Sequence, residues 1–108
     1  MAREQLAVLL LELESAMHAA DLWEAAHPDH AALESAQPFC VDTLRLPQWL
    51  QWVFVPRMRA LLDARAPLPP RCGIAAMAEM YFIGQQGVAL ERLIALLAEV
   101  DGEIEGGT

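Results

Sequence analysis

The sequence predicts an all-α fold: a single-domain four-helix bundle over residues 1–105, its second helix central and kinked at Pro56, with residues 106–108 a disordered tail. Three observations predict it. Apolar residues recur at three- and four-residue steps over long stretches, the period of one face of a helix. Alanine and leucine, both strong helix formers, supply much of the 56% hydrophobic content, and β-branched residues are sparse. Proline and glycine sit between the periodic stretches rather than throughout them.

The first helix is expected from Arg3 to Ala26, with Leu6, Leu9, Leu10, Leu13, Met17, Ala20 and Trp23 as its stripe and His27-Pro28 as its stop. A connection follows, with a helical turn around Ala31 to Ser35, held down by Leu33, Phe39, Val41 and Leu44. Asp42-Thr43 could cap the turn that leads into the second helix. That helix should run from Leu46 to Arg65, with Pro47 in the first turn, where a missing N–H costs nothing. Trp52 to Pro56 is apolar on every side, which predicts burial. Pro56 in the interior removes a hydrogen bond and meets the Trp52 carbonyl, which predicts a kink. Ala66 to Pro70 ends the helix. The third is expected over Ile74–Ile83, with Ile74, Met77, Ala78, Tyr81 and Phe82 inward, then a turn at Gly84–Gly87. The fourth covers Val88–Glu103 with Leu90, Leu93, Ile94, Leu97, Val100 and Ile104 as its stripe.

Composition excludes several classes. With 20% charged residues and 56% hydrophobic ones, the chain is not intrinsically disordered. At a net charge of −8 it repels nucleic-acid phosphate and anionic lipid, so neither is a default partner. No segment has the length of a membrane span, and the N-terminal apolar run meets Glu12 and Glu14 at once, unlike a signal peptide. Cys40 and Cys72 have no CxxC spacing. A cytoplasmic protein with reduced thiols is the expectation.

Chemistry-bearing constellations are thin. His27, His30 and Cys40, with His18 nearby, are types that suit zinc, but their spacing matches no zinc pattern, and solvated loop histidines are the simpler account. Cys72, beside Arg71 and just before the third helix, is the better-placed thiol; Cys40 is followed by Asp42. Asp42, Asp63 and Glu79 are the acids nearest the apolar centre, and a cap and an arginine partner explain two of them. The expectation is therefore no catalytic residue, no cofactor and no metal. The charge pattern is informative. Arg45 to Arg71 holds five arginines and one acid, a net +4, whereas the remainder is −12. The second helix is a basic element in an acidic protein, its arginines expected to pair with Glu12, Glu14, Glu79 or Glu99 or to meet an acidic partner.

The window Gln37 to Leu62 holds two of the three tryptophans, two of the three phenylalanines and three of the seven prolines. Gln37-Pro38-Phe39, Asp42-Thr43, Trp49-Leu50-Gln51-Trp52, Pro56-Arg57-Met58, Leu61-Leu62, Pro67-Leu68-Pro69 and Glu79-Met80 together resemble the YqcC-like family of small bacterial proteins. The motif core covers about a third of the chain, and length and helix layout match throughout. The resemblance implies an all-helical bundle and supplies no catalytic or ligand residues. Members are often encoded beside a tRNA pseudouridine synthase, and some carry its name. Such an enzyme needs a catalytic aspartate on a mixed sheet and a basic cleft, so for this short, acidic, helical chain the resemblance implies an accessory partner at most.

The function expected is a non-enzymatic protein-interaction or accessory module whose partner, a tRNA pseudouridine synthase among the candidates, docks on Gln37, Phe39, Trp49, Trp52, Arg57 and Arg59. Self-association through that face is compatible with the same residues. The alternative is a small-ligand-binding bundle with an apolar pocket near the Pro56 kink, where Gln51 and the Trp52 carbonyl would offer polar contacts.

Overall fold

The structure is a computed structural model that describes residues 2–26, 28, 30–37, 40, 43–69 and 73–106. Phe39, Val41, Asp42, Arg71, Cys72 and His27, all singled out in the sequence, lie outside the described residues, as do 107–108.

Helix α1, Ala2–Ala19, buries Leu6, Leu9, Leu10, Leu13 and Met17 on one side. It stops well short of Ala26. The Asp21 N–H donates to the His18 carbonyl (3.0 Å) and the Leu22 N–H to the Met17 carbonyl (2.9 Å), with Asp21 at φ 60°. This crossed pair around a left-handed residue closes a helix end. Trp23 keeps the spacing of the stripe without being helical: it packs on the core from the following segment and stacks on His18 (ring centroids 5.0 Å).

A short helix α2, His30–Leu33, occupies the expected connection. Among the described residues Thr43 makes no capping bond to the next helix; its Oγ1 donates backward to the Ala32 carbonyl (2.6 Å), tying the chain before that helix to α2.

The run expected as one kinked helix is composite. Helix α3 is Leu46–Trp49, a π-helical stretch covers Leu50–Phe54, and helix α4 is Val55–Asp63. The Val55 N–H donates five residues back, to the Leu50 carbonyl, and the backbone has right-handed helical angles at Trp49, Leu50, Phe54 and Val55. The irregularity thus lies in the turn just before Pro56. A proline ring crowds the carbonyl four residues earlier, and a widened turn is one way to accommodate it. Pro56 itself is exposed, whereas Phe54 and Val55 are buried. Helix α4 ends as α1 does, with Arg65 at φ 53° between the Arg65 N–H to Leu62 and Ala66 N–H to Leu61 carbonyl bonds.

Helix α5, Ile74–Tyr81, and helix α6, Val88–Gly106, follow, joined by a turn with Gly84 at φ 83°. Of the expected α6 stripe, Leu93, Leu97, Val100 and Ile104 are buried and Leu90 and Ile94 only partly so, with Leu96 buried in addition. Tyr81, expected inward, is 37% exposed at the last position of α5, whereas the adjacent Phe82 is buried as expected.

All regular structure among the described residues is helical. The dominant pairing joins the first and last helices, α1 and α6, with α5 on α6 and α4 on α1. The radius of gyration, 13.4 Å, is close to the ~13 Å of a packed chain of this length. Among the described residues, no helix is long and apolar enough to cross a membrane.

Candidate functional site

The π-helical stretch carries Gln51, the only polar side chain in the buried class among the described residues, 4% exposed. Its Nε2 donates to the Glu24 carbonyl (2.6 Å), and its Oε1 accepts from the Glu24 N–H (2.8 Å). One side-chain amide is thus paired to one peptide group, as in a sheet ladder, so the cost of burying it is met.

The Glu24 carboxylate extends the network. It accepts from Arg45 Nη2 (2.9 Å) and from Gln48 Nε2 (3.2 Å), while Gln48 Oε1 accepts from the Arg45 N–H (2.8 Å) at the start of α3. Gln48 and Gln51 are three apart, so both reach the same chain segment from one helical side. Together they dock the segment after α1 onto the α3–π junction. A groove of about 220 Å³ lies alongside, between Asp21, Leu22 and Glu24, the start of α3 at Arg45, Pro47 and Gln48, and the end of α5 at Tyr81, Phe82 and Gln85. Tyr81 and Phe82 meet edge to face at 4.9 Å on its far wall.

The sequence-predicted surface residues fall at different depths. Trp49 is 9% exposed, stacks on Phe54 (5.5 Å) and belongs to the core; Trp52 is half-buried. Gln37 is exposed, its N–H bonded to Ser35 Oγ (3.1 Å). Arg57 is exposed and pairs with no acid among the described residues. Arg59 Nη2 pairs with Glu14 Oε2 (2.9 Å), one of the pairings the charge pattern suggested. Arg45 pairs with Glu24, which the sequence did not suggest. Both pairs are largely solvated and contribute at most ~1 kcal/mol. Cys40 is a buried free thiol, and among the described residues no histidine, cysteine and carboxylate cluster is arranged for a metal.

Sequence reasoning missed the Glu24–Gln51 pair. The available signal was one amide inside the apolar run Trp49–Val55, which marks a buried group in need of a partner but not which partner. It also missed Met80, Ile83 and Val88, which are strongly exposed at the α5–α6 connection.

An all-helical globule with an internally satisfied polar network is the class these features define. A family model described as tRNA pseudouridine synthase C matches residues 5–103, and the chain belongs to that family, the YqcC-like proteins. It is 35% identical over 96 residues to the Escherichia coli protein named uncharacterized protein YqcC, covering 83% of this chain and 88% of that one. It is 39% identical over 77 residues to a Haemophilus influenzae uncharacterized protein, covering 71% and 73%. It is 43% identical over 70 residues to a Pectobacterium carotovorum protein named tRNA pseudouridine synthase C; the match takes in 64% of this chain and 19% of that protein, so the chain spans about a fifth of its length. The solution NMR structure of Escherichia coli YqcC superposes with a TM-score of 0.85 at 29% identity, covering 99% of this chain and 91% of that one.

Proposed function

We propose that the chain is a non-enzymatic interaction module that serves as an accessory to a tRNA pseudouridine synthase. One observation carries this reading: in the Pectobacterium relative, a segment 43% identical to this chain forms about a fifth of a longer protein named for that enzyme. Joining two units in one chain gives them a high effective concentration; separate chains need a binding surface instead. The Escherichia coli relative, of which this chain covers 88%, has little length left for an enzyme. The net charge of −8 supports leaving RNA contact to the partner. A role beside a tRNA enzyme places the chain in the cytoplasm.

The partner docks across Gln37, Phe39, Trp52, Arg57 and Arg59, and Trp49 contributes from the core, where it stacks on Phe54. In the same reading the Leu46–Asp63 run bends at Pro56 within a four-helix bundle, setting the direction in which Arg57 and Arg59 leave the surface. A ligand-binding role is the less favoured reading. The Gln51 amide, one of the polar contacts that reading requires, is engaged with Glu24.

The test is size-exclusion chromatography of the chain mixed with the purified tRNA pseudouridine synthase of the same genome. Co-elution is expected, weakened by Arg57→Glu. Separate elution at micromolar concentrations would sink the accessory reading.

A further inference from the structure

The α5–α6 end presents apolar surface that the core does not use. Met80, Ile83 and Val88 are 72%, 82% and 83% exposed. Three large apolar side chains left in water around one connection are the kind of surface that a partner covers. Tyr81, next to Met80 in the chain, is 37% exposed and lines the groove described above.

The rim of this apolar surface is acidic. Glu79 immediately precedes Met80 in the last turn of α5, and Glu91 lies three after Val88 within α6, so an acid stands close to two of the three exposed apolar residues. Both acids are exposed and neither has an ion-pair partner among the described residues. Asp21 adds a further acid on the groove wall. Against them stand Arg92 and Arg45, and the latter is already paired with Glu24. An apolar centre with unpaired acids at its edge complements a surface that is apolar centrally and cationic at its rim. A second copy fits poorly, since it would set acid against acid in chains each carrying −8. An enzyme that grips RNA phosphates fits well, because it must carry clustered lysine and arginine.

We propose that the α5–α6 end, through Met80, Ile83 and Val88 with Glu79 and Glu91, docks on a positively charged surface of an RNA-binding protein. The proposal rests on the accessory reading above and adds a second contact of opposite charge to the one at Arg57.

The test is a titration of the fluorescently labelled chain with the same purified synthase at low and at physiological salt. The variants are Ile83→Arg, Glu79→Arg/Glu91→Arg and Arg57→Glu. All the altered positions are exposed, so circular dichroism should match the unchanged chain; Glu91→Arg reverses the acid in the first turn of α6, so a slightly lower melting temperature is expected for the double variant alone. Ile83→Arg and the double reversal are each expected to raise Kd at least about tenfold, and salt to raise the Kd of the unchanged chain. If both variants bind as the unchanged chain does while Arg57→Glu is weakened, the proposal fails and the accessory reading stands. If the unchanged chain does not bind at low salt, the accessory reading fails and takes the proposal with it. If the free chain dimerises in a way that Ile83→Arg abolishes, the occupant is a second copy and the proposal is overturned.

Discussion

Asp101 belongs to α6 by sequence and to the start of α5 by its hydrogen bonds. Its Oδ1 accepts from the Ile74 N–H (3.1 Å) and its Oδ2 from the Ala75 N–H (2.9 Å). These are the first two amides of α5, which a helix cannot satisfy internally. The residue in the capping position is Gly73, at φ 65°, with no side chain to offer. A carboxylate borrowed from the neighbouring helix takes its place, and its charge also suits the helix dipole there. Asp101→Ala is expected to cost about 1–3 kcal/mol in urea unfolding, and Asp101→Asn less, since the amide keeps one acceptor. An unchanged midpoint in the alanine variant would show that water replaces the cap at no cost. Nothing in the sequence distinguishes Asp101 from the surrounding acids of α6, because its partners lie 26 and 27 residues away.

At the scale of elements, what periodicity governs was legible and what a single residue decides was not. Leu93, Leu97, Val100 and Ile104 of the α6 stripe are buried, and Leu90 and Ile94 at its edge partly so, because a regular helix repeats its face faithfully. The end of α1 was overestimated because the closing residue is Asp21 rather than glycine, while Trp23 continues the apolar spacing from outside the helix. The π-helical register at Leu50–Phe54 has no compositional mark beyond Pro56 itself. For the candidate site, Gln51 could be noticed as a lone amide, but its partner Glu24 is fixed only by tertiary packing. That pair makes the π stretch testable. In Gln51→Glu the carboxylate cannot donate to the Glu24 carbonyl, so one half of the pair becomes repulsive. We expect a loss of about 1–3 kcal/mol and faster hydrogen exchange at the Glu24 amide. Unaltered exchange there would mean that the 21–24 segment is held by Leu22 and Trp23 packing alone.

The whole molecule closes on itself through its first and last helices, so stability depends on contacts between residues far apart in sequence. Local loss in α1 should therefore lower the stability of the entire chain in one cooperative transition. Adjacent leucines allow this to be tested without changing residue type. Leu10 is fully buried, whereas Leu11, about 100° further round α1, is 62% exposed. Leu10→Ala removes packing atoms and leaves a cavity facing the rest of the core, at an expected cost of about 2–5 kcal/mol. Leu11→Ala removes atoms already largely in water, and alanine is the better helix former, so its effect should stay within about 0.5 kcal/mol. Urea titrations followed by circular dichroism and by tryptophan fluorescence should coincide for both variants, with the midpoint displaced only for Leu10→Ala. Equal losses in the two variants would mean that the outer side of α1, Val8 with Leu11, is covered in solution. The exposed apolar surface of this chain would then extend beyond the α5–α6 end.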